Sequence, residues 1–228
     1  APGTVEKFSR LGRPERGVWL NGDTIYRNDT PIMKAADIRI PGVHNIENYM
    51  AAICAVWDVV SLEDIRAVAG SFAGLEHRLE LVRTLRGVRY YNDSIASSPT
   101  RTMACLNSFD QELILLLGGY DKHIPFDELG EALCDKAKAV VLVGHTANAI
   151  ESAIRNAKNY ALHAPLILKG DNMEQAVEAA AQIAVEGDVV VLSPACASFD
   201  LYRNFMERGQ TFKECVASLK DHTQERKG

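Results

Sequence analysis

The feature that most constrains this fold is the alternation of short, unbroken apolar runs with amphipathic stretches in the second half of the sequence. The apolar runs are Leu113–Leu117, Val140–Val143, Pro165–Leu168 and Val189–Leu192. Such runs are typical of strands buried on both faces. Apolar residues at helical spacing predict helices at Pro99–Ser108, Phe126–Lys136, Ala147–Ala157, Met173–Val185 and Asp200–Leu219. The alternation predicts an α/β fold with a doubly wound, mostly parallel, Rossmann-like sheet.

The first 73 residues have a different pattern, which predicts several short strands followed by two helices. Strands are predicted at Val5–Ser9, Val18–Leu20, Thr24–Tyr26 and Ile38–Ile40. Asn21-Gly22-Asp23 favours a hairpin, because Asn-Gly tolerates positive φ. Helices follow from Asn45 to Val60 and from Ser61, whose box with Asp64 is typical of a helix start. After Gly74 a further strand pair is predicted at Leu79–Thr84 and Val88–Tyr91. We therefore predict two domains, residues 1–73 and 74–228.

Composition narrows the functional classes. The net charge of -5 argues against a general nucleic-acid surface or an anionic-membrane surface. The sequence has no apolar run near the length of a membrane span and no signal-peptide pattern. Its five cysteines are odd in number and widely spaced, which predicts reduced side chains in a cytoplasmic protein. No Cys/His cluster indicates zinc, and no residue of the sequence is singled out as a metal ligand.

Ligands of doubly wound sheets bind at the carboxyl ends of strands, so the loops there are informative. The stretch from Val189 to Gly209 reads as a strand, a turn of small residues and a helix from Asp200, with Ser198 as its N-cap. Backbone N–H groups at such a helix start favour an anion. A strand–turn–helix unit without any ligand remains the alternative.

Two other strand-end loops carry polar groups. The loop after Tyr91 offers several hydroxyls, the Asp93 carboxylate and the Arg101 guanidinium, although it also fits an N-capped turn with Ser97 or Ser98 as cap. After Leu117, Gly118-Gly119 would let the backbone approach a ligand, and Lys122 adds a cation. The alternative there is a tight turn with a solvated lysine.

Two further places carry candidate contacts. Asn45 and Asn48, beside His44, lie on one face at a helix start and fit either capping or hydrogen bonds to a planar base. Arg78 lies at the junction of the two predicted domains. It fits either a salt bridge between domains or a phosphate contact.

Four strings carry a resemblance to a known family. They read GVHNIENYMAA, GLEHRLE, YNDSIASSPTRT and LSPACASFDLYRNFMERG, and they occur in the family's order. The chain resembles the Mur ligases, and the last string is similar to that of the members that add D-glutamate. The Asp-Asn-Pro-Arg motif of the diaminopimelate-adding members is absent from the sequence.

The resemblance implies three domains, for a UDP-sugar, for ATP and for the incoming amino acid. The chain then corresponds to the tail of the central ATPase domain (1–73) and the D-glutamate-binding domain (74–228). No G-x-x-x-x-G-K-[ST] string occurs in it. The family's Mg²⁺ ligands are expected mostly outside it, and we expect the chain alone to be inactive.

The implied reaction belongs to peptidoglycan biosynthesis. ATP, with Mg²⁺, activates the carboxylate of UDP-N-acetylmuramoyl-L-alanine as an acyl phosphate, and the amine of D-glutamate then forms the amide. The expected partners are these small molecules, with no nucleic acid and no membrane. The protein is expected to be a cytoplasmic monomer.

Site residues follow from matching the motifs position by position. The resemblance implies that Asn45, Asn48, Arg78 and Asp93 contact the nucleotide. It implies that D-glutamate is held by Ser97, Lys122, Ser198, Phe199 and Phe205. Arg78 and Lys122 are the two expected catalytic residues, and Phe199 and Phe205 are expected on one helix.

One position departs from the family pattern. Many members have a lysine where this chain has Ile95, and a threonine where it has Ser97. Our hypothesis is that Arg101 supplies the missing charge, the alternative being a solvated helix arginine. A non-catalytic α/β binding module remains the second functional hypothesis. Folylpolyglutamate synthases share the plan but lack the SPACAS string.

Overall fold

The computed structural model describes residues 5–40 and 42–220. The chain divides into two compact units, Ala1–Gly74 and Leu75–Gly228. No helix among these described residues is both long enough and apolar enough to cross a membrane.

The first unit contains a four-stranded sheet. Its strands, in spatial and chain order, are β1 Lys7–Ser9, β2 Gly17–Asn21, β3 Thr24–Arg27 and β4 Thr30–Lys34. β1 runs parallel to β2, and the other neighbours are antiparallel. The predicted hairpin is confirmed, since Asn21 pairs with Thr24 and Gly22 has φ 59°.

Two helices follow the sheet, α1 Val43–Val56 and α2 Leu62–Ser71. The predicted cap of α2 is confirmed, because Ser61 Oγ accepts a hydrogen bond of 3.1 Å from the Asp64 N–H. The helices contribute Met50, Ile53 and Ile65 to the core of the unit. α1 ends four residues before the predicted Val60.

The predicted strand at Ile38–Ile40 is wrong, and β4 was missed. A single 3-10 turn, Ala35–Asp37, precedes Ile38, which is buried in the core without strand pairing. β-branched residues therefore marked burial here and not a ladder. β4 carries Pro31, which hid it from the pattern, and the strand tolerates proline because it lies at the sheet edge.

The second unit contains a six-stranded sheet in the order β5-β6-β10-β7-β8-β9. The strands are β5 Glu80–Leu85, β6 Val88–Asn92, β7 Leu113–Leu117, β8 Ala137–Leu142, β9 Leu166–Lys169 and β10 Val189–Leu192. The helices are α3 Pro99–Leu106, α4 Asp127–Lys136, α5 Ala147–Arg155, α6 Met173–Ile183 and α7 Phe205–Ser218. β5 and β6 form the predicted antiparallel pair, and all other neighbours are parallel.

Helices cover both faces of this sheet, which confirms the doubly wound prediction. The position of β7 between two layers of helices explains why every residue of the strand is apolar. Leu113, Leu115 and Leu117 belong to one core cluster with α3, α4 and α5. Ile114 and Leu116 belong to the other, with α6 and α7. A strand covered on both faces buries every side chain, so its polar alternation disappears.

The helix predicted from Asp200 begins five residues later. α7 starts at Phe205, and the Asn204 side chain accepts a hydrogen bond of 2.9 Å from the Glu207 N–H. Ser198 is therefore not the N-cap. Leu201, read as part of the apolar stripe, is largely exposed and faces no core. Helical spacing alone places Leu201 in the helix, whereas the capping residue Asn204 sets where the helix begins.

Candidate functional site

The order of the strands brings three of the predicted loops together. β10 lies between β6 and β7, and all three run parallel. The loop that contains Ser198 therefore leaves the sheet between the loop of Asp93 to Ser98 and the loop of Gly118 to Lys122. Sequence alone identified these loops but could not give their spatial order.

Lys122 and Ser97 are in direct contact across this edge. The Lys122 ammonium donates a hydrogen bond of 3.1 Å to the Ser97 carbonyl oxygen. The Lys122 side chain is otherwise exposed. The same loop is fixed to the β10 loop, since the Tyr120 N–H donates to the Ala197 carbonyl at 2.9 Å. These two hydrogen bonds therefore join the Lys122 loop to both neighbouring loops at the carboxyl edge.

The two predicted phenylalanines lie in different surroundings. Phe199 precedes α7, is 66% exposed, and meets the ring of Tyr120 edge-on with centroids 6.1 Å apart. Phe205 is the first residue of α7 and meets His77 edge-on at 5.9 Å. The expectation that both lie on one helix is wrong. Ser198, between the loops, is 2% exposed, and its carbonyl accepts from the Tyr202 N–H.

Arg208 holds the strand-end loops together, and the sequence analysis gave it no role. Its guanidinium is 2% exposed. It donates to the Cys196, Ala197 and Ser94 carbonyls at 3.0, 3.1 and 2.9 Å, and to the Ser94 hydroxyl at 3.1 Å. Burial lowers the pKa of Arg208 to about 10. A charged residue on the core side of a predicted helix was the signal that would have found it.

The glycine pair lets the protein's own loops pack closely, and the approach of its backbone to a ligand stays a prediction. A Cβ on Gly118, at φ +117°, would lie 1.9 Å from the Val143 carbonyl oxygen. A Cβ on Gly119 would lie 2.3 Å from that of Ala197. The Thr146 hydroxyl closes the turn by accepting from the Gly119 N–H at 3.1 Å. Glycine is needed here because the three loops are closely packed.

Asp93 is a buried carboxyl group whose pKa is influenced by the charges of two arginines. Its oxygens accept from the Leu79 N–H at 3.3 Å and from the Ser193 hydroxyl at 3.0 Å. Burial raises the pKa of Asp93 to about 7, against the opposing effects of these hydrogen bonds and of the positive charges of Arg78 and Arg101. Both arginines are exposed, and within the described residues neither side chain has a hydrogen bond or ion pair.

Asn45 and Asn48 lie in the first unit, on the first turns of α1. The helix N-cap is Gly42, so neither asparagine caps it. The Asn48 amide donates to the Asn45 Oδ1 at 3.3 Å. Asn45 is 9% exposed and Asn48 is exposed. The Asn48 amide is therefore the exposed member of the pair near the start of the helix.

One group of side chains has the composition of a metal site. Ligand atoms of Glu76, His77 and Glu80 lie within 4.8 Å of one another. The Lys213 ammonium already bridges the two carboxylates, at 2.6 Å from Glu76 and 3.1 Å from Glu80. The positive charge of Lys213 already balances these carboxylates, so the cluster does not fit a divalent cation.

The region that carries these loops matches a known family. The family described as "Mur ligase, glutamate ligase domain" matches residues 77–196. The chain belongs to the Mur ligase family. The match covers the strands β6 and β7, the Lys122 loop and most of the SPACAS turn.

Curated Mur ligases are similar over nearly the whole chain. The UDP-N-acetylmuramoylalanine–D-glutamate ligase of Acetivibrio thermocellus is 51% identical in an alignment of 225 positions, and the alignment covers 96% of this chain and 48% of that protein. The ligase of the same name from Clostridium acetobutylicum is 49% identical with the same coverage of both chains. The chain thus spans about half the length of these curated relatives.

A solved structure confirms the Mur ligase fold at lower identity. The pseudomurein peptide ligase type C from Methanothermus fervidus is 14% identical and aligns with a TM-score of 0.61. The alignment covers 92% of this chain and 43% of that one. At this identity the similarity concerns the fold alone.

Proposed function

We propose that this Mur ligase chain holds D-glutamate at the carboxyl edge of its six-stranded sheet, for ATP-dependent ligation to UDP-N-acetylmuramoyl-L-alanine. The observation that carries the proposal is the hydrogen bond between Lys122 and Ser97, with the Ser198 loop between their strands. D-Glutamate is a dicarboxylate, and carboxylates bind best to a cation combined with hydroxyl or N–H donors. Phe199 and Phe205 are proposed to contact its methylene groups.

The chemistry needs the amine of D-glutamate to be unprotonated and aimed at the activated acyl carbon. ATP with Mg²⁺ supplies the activation of the sugar-linked carboxylate as an acyl phosphate. In the second step the C–N bond forms, the C–O bond to phosphate breaks, and the amine loses a proton as phosphate leaves. The proposed role of Lys122 is to hold a carboxylate of D-glutamate so that its amine is positioned for attack.

The nucleotide contacts are proposed for Arg78, Asp93, Asn45 and Asn48. The exposed guanidinium of Arg78 fits a phosphate, because it has no side-chain partner among the described residues. The exposed amide of Asn48 fits a base edge or a ribose hydroxyl. We assign no Mg²⁺ ligand to the described residues, since Lys213 bridges the Glu76 and Glu80 carboxylates.

The remaining assignments are also proposals. Residues 1–73 are assigned to the central ATPase domain and residues 74–228 to the domain that binds D-glutamate. All five cysteines are free, as a reducing cytoplasm would keep them. The protein is proposed to act on small molecules as a cytoplasmic monomer.

The test uses the complete product of the gene that encodes this chain. Purified protein is given ATP, Mg²⁺, UDP-N-acetylmuramoyl-L-alanine and D-glutamate, and amide product and phosphate are measured. We expect equal amounts of both, and neither when D-glutamate is omitted. The second hypothesis, a non-catalytic binding module, predicts calorimetric binding of D-glutamate without product. Product formation would exclude that hypothesis, and binding without product would exclude ours.

A further inference from the structure

The backbone on both sides of Arg78 is held in an uncommon conformation. His77 has φ 63° and Leu79 has φ 45°, in the left-handed region that side chains other than glycine disfavour. Such residues persist only where the surroundings fix them, and they cluster at functional sites. Arg78 itself is exposed between these two constrained neighbours.

The first set of restraints comes from the loop after β6. The Ile95 N–H donates to the His77 carbonyl at 3.2 Å, and the Leu79 N–H donates to Asp93 at 3.3 Å. The Asn92 amide nitrogen lies 2.9 Å from His77 Nδ1. Asn92 Oδ1 accepts from the Ser94 N–H, so its amide nitrogen is the donor and His77 Nδ1 the acceptor. The ring of His77 is thereby fixed.

The second set of restraints comes from α7. A Cβ on Gly209 would lie 2.3 Å from His77 Nδ1, so this glycine lets the helix touch the imidazole. One turn further, the Lys213 ammonium bonds to Glu76 and Glu80 on either side of the constrained segment. The Glu80 carboxylate in turn accepts from the His77 N–H at 3.0 Å. The hydrogen bond to Glu76 is the main reason that the pKa of Lys213 is raised.

We propose that Lys213, acting through Glu76, Glu80 and the His77 backbone, is a positioning residue for Arg78. The same helix bears Arg208, which fixes the loops proposed to hold D-glutamate. α7 therefore supports both the loops proposed to hold D-glutamate and the Arg78 segment proposed to reach the nucleotide phosphates. This inference rests on the proposed function, in which Arg78 contacts those phosphates.

The test measures ATP binding by calorimetry in the complete gene product. Lys213→Met removes the ammonium and keeps most of the stem. We expect the dissociation constant for ATP to rise about fivefold, as for couplings between neighbouring groups, with D-glutamate binding unchanged. Lys213→Arg should restore most of the affinity. Lys158→Met is the matched control, because that side chain is 90% exposed and, among the described residues, its one ion pair is with Glu131.

A double variant separates positioning from a merely structural effect. In an Arg78→Ala background, Lys213→Met should have no further effect on ATP binding. Amide hydrogen exchange at Leu79 and Ile95 should accelerate in Lys213→Met, whereas exchange in β7 should not. Equal weakening of ATP binding in both backgrounds would overturn the proposal, as would unchanged exchange at these amides.

The inference and the proposed function can fail separately. If Arg78→Ala weakens ATP binding and Lys213→Met does not, the positioning role of Lys213 is wrong while the proposed function stands. If Arg78→Ala leaves ATP binding unchanged, the proposed role of Arg78 is wrong, and the inference that depends on it is wrong as well. A loss of thermal stability in Lys213→Met that Lys213→Arg does not repair would also contradict it.

Discussion

The Lys122 ammonium and the Ser97 carbonyl oxygen, 3.1 Å apart, join the ends of two strands that are not neighbours in the sheet. β10 lies between β6 and β7, so this contact links the loops that follow the two strands on either side of β10. The sequence also allowed Lys122 to be a solvated loop residue, but this hydrogen bond fixes its ammonium beside the Ser97 backbone. The hydrogen bond also leaves two of its three donors for a ligand.

Replacing Lys122 with alanine should weaken D-glutamate binding. A hydrogen bond between charged groups contributes about 1.5–3 kcal/mol, which corresponds to about a tenfold to hundredfold rise in KM for D-glutamate. The KM for ATP should change little. Steady-state kinetics of the complete gene product check this, with Lys158→Ala as the matched exposed lysine. Equal KM values in the two variants would contradict the assignment.

Arg101 should contribute to the reaction if it replaces the lysine missing at Ile95. It lies on the first turn of α3 and is exposed. Its positive charge, like that of Arg78, lowers the pKa of the Asp93 carboxyl. We expect Arg101→Ala to lower kcat/KM about tenfold, as for removal of a partly solvated charge near a phosphate. An unchanged rate with unchanged KM values for ATP and D-glutamate would show that Arg101 is only a surface residue.

Asp93 should make stability depend on pH in a defined direction. Burial raises its pKa in the folded protein from 3.8 to about 7, so the native state binds the proton more tightly than the unfolded state. Stability from this group is therefore present below about pH 4 and is lost as pH rises towards about 7.

Asp93→Asn should remove this loss, because an amide is neutral at every pH. It keeps an oxygen for the Leu79 N–H and can donate to the Ser193 hydroxyl. We expect the variant to be more stable than the original by roughly 2–4 kcal/mol at pH 8 and by much less at pH 4. Urea denaturation at both pH values measures the difference. A constant difference between the two proteins would contradict the raised pKa.

Arg208→Met should destabilise the second unit and loosen the loops that are proposed to hold D-glutamate. The change leaves the Cys196 and Ser94 carbonyls without this buried donor, whereas the Ala197 carbonyl keeps the Tyr120 N–H. A buried unsatisfied acceptor costs about 1–3 kcal/mol, so we expect a loss of more than about 2 kcal/mol.

Denaturation of this variant with and without D-glutamate distinguishes the two effects of Arg208. Arg203→Met is the control, because the Arg203 side chain is 86% exposed and its one ion pair within residues 5–40 and 42–220 is with Glu207, one turn away. A loss of stability in Arg208→Met no greater than in this control would show that the buried hydrogen bonds contribute little.

Much of the fold was determined by local sequence. Continuous apolar runs specified β7, β8 and β10, since a strand covered on both faces has no polar side. Asn21-Gly22-Asp23 specified its hairpin and Ser61 its helix cap, because both depend on neighbouring residues only. The family motifs indicated the nine candidate contacts, whose roles remain predictions.

Only the tertiary structure decided the order of the strands, and with it the site. Nothing local places β10 between β6 and β7, because that order depends on how crossovers pack. The start of α7 at Phe205, the burial of Arg208 and the packing of Gly209 on His77 likewise depend on residues distant in the chain. Local sequence determines which secondary structure each segment prefers, and long-range packing determines which charged side chains come into contact.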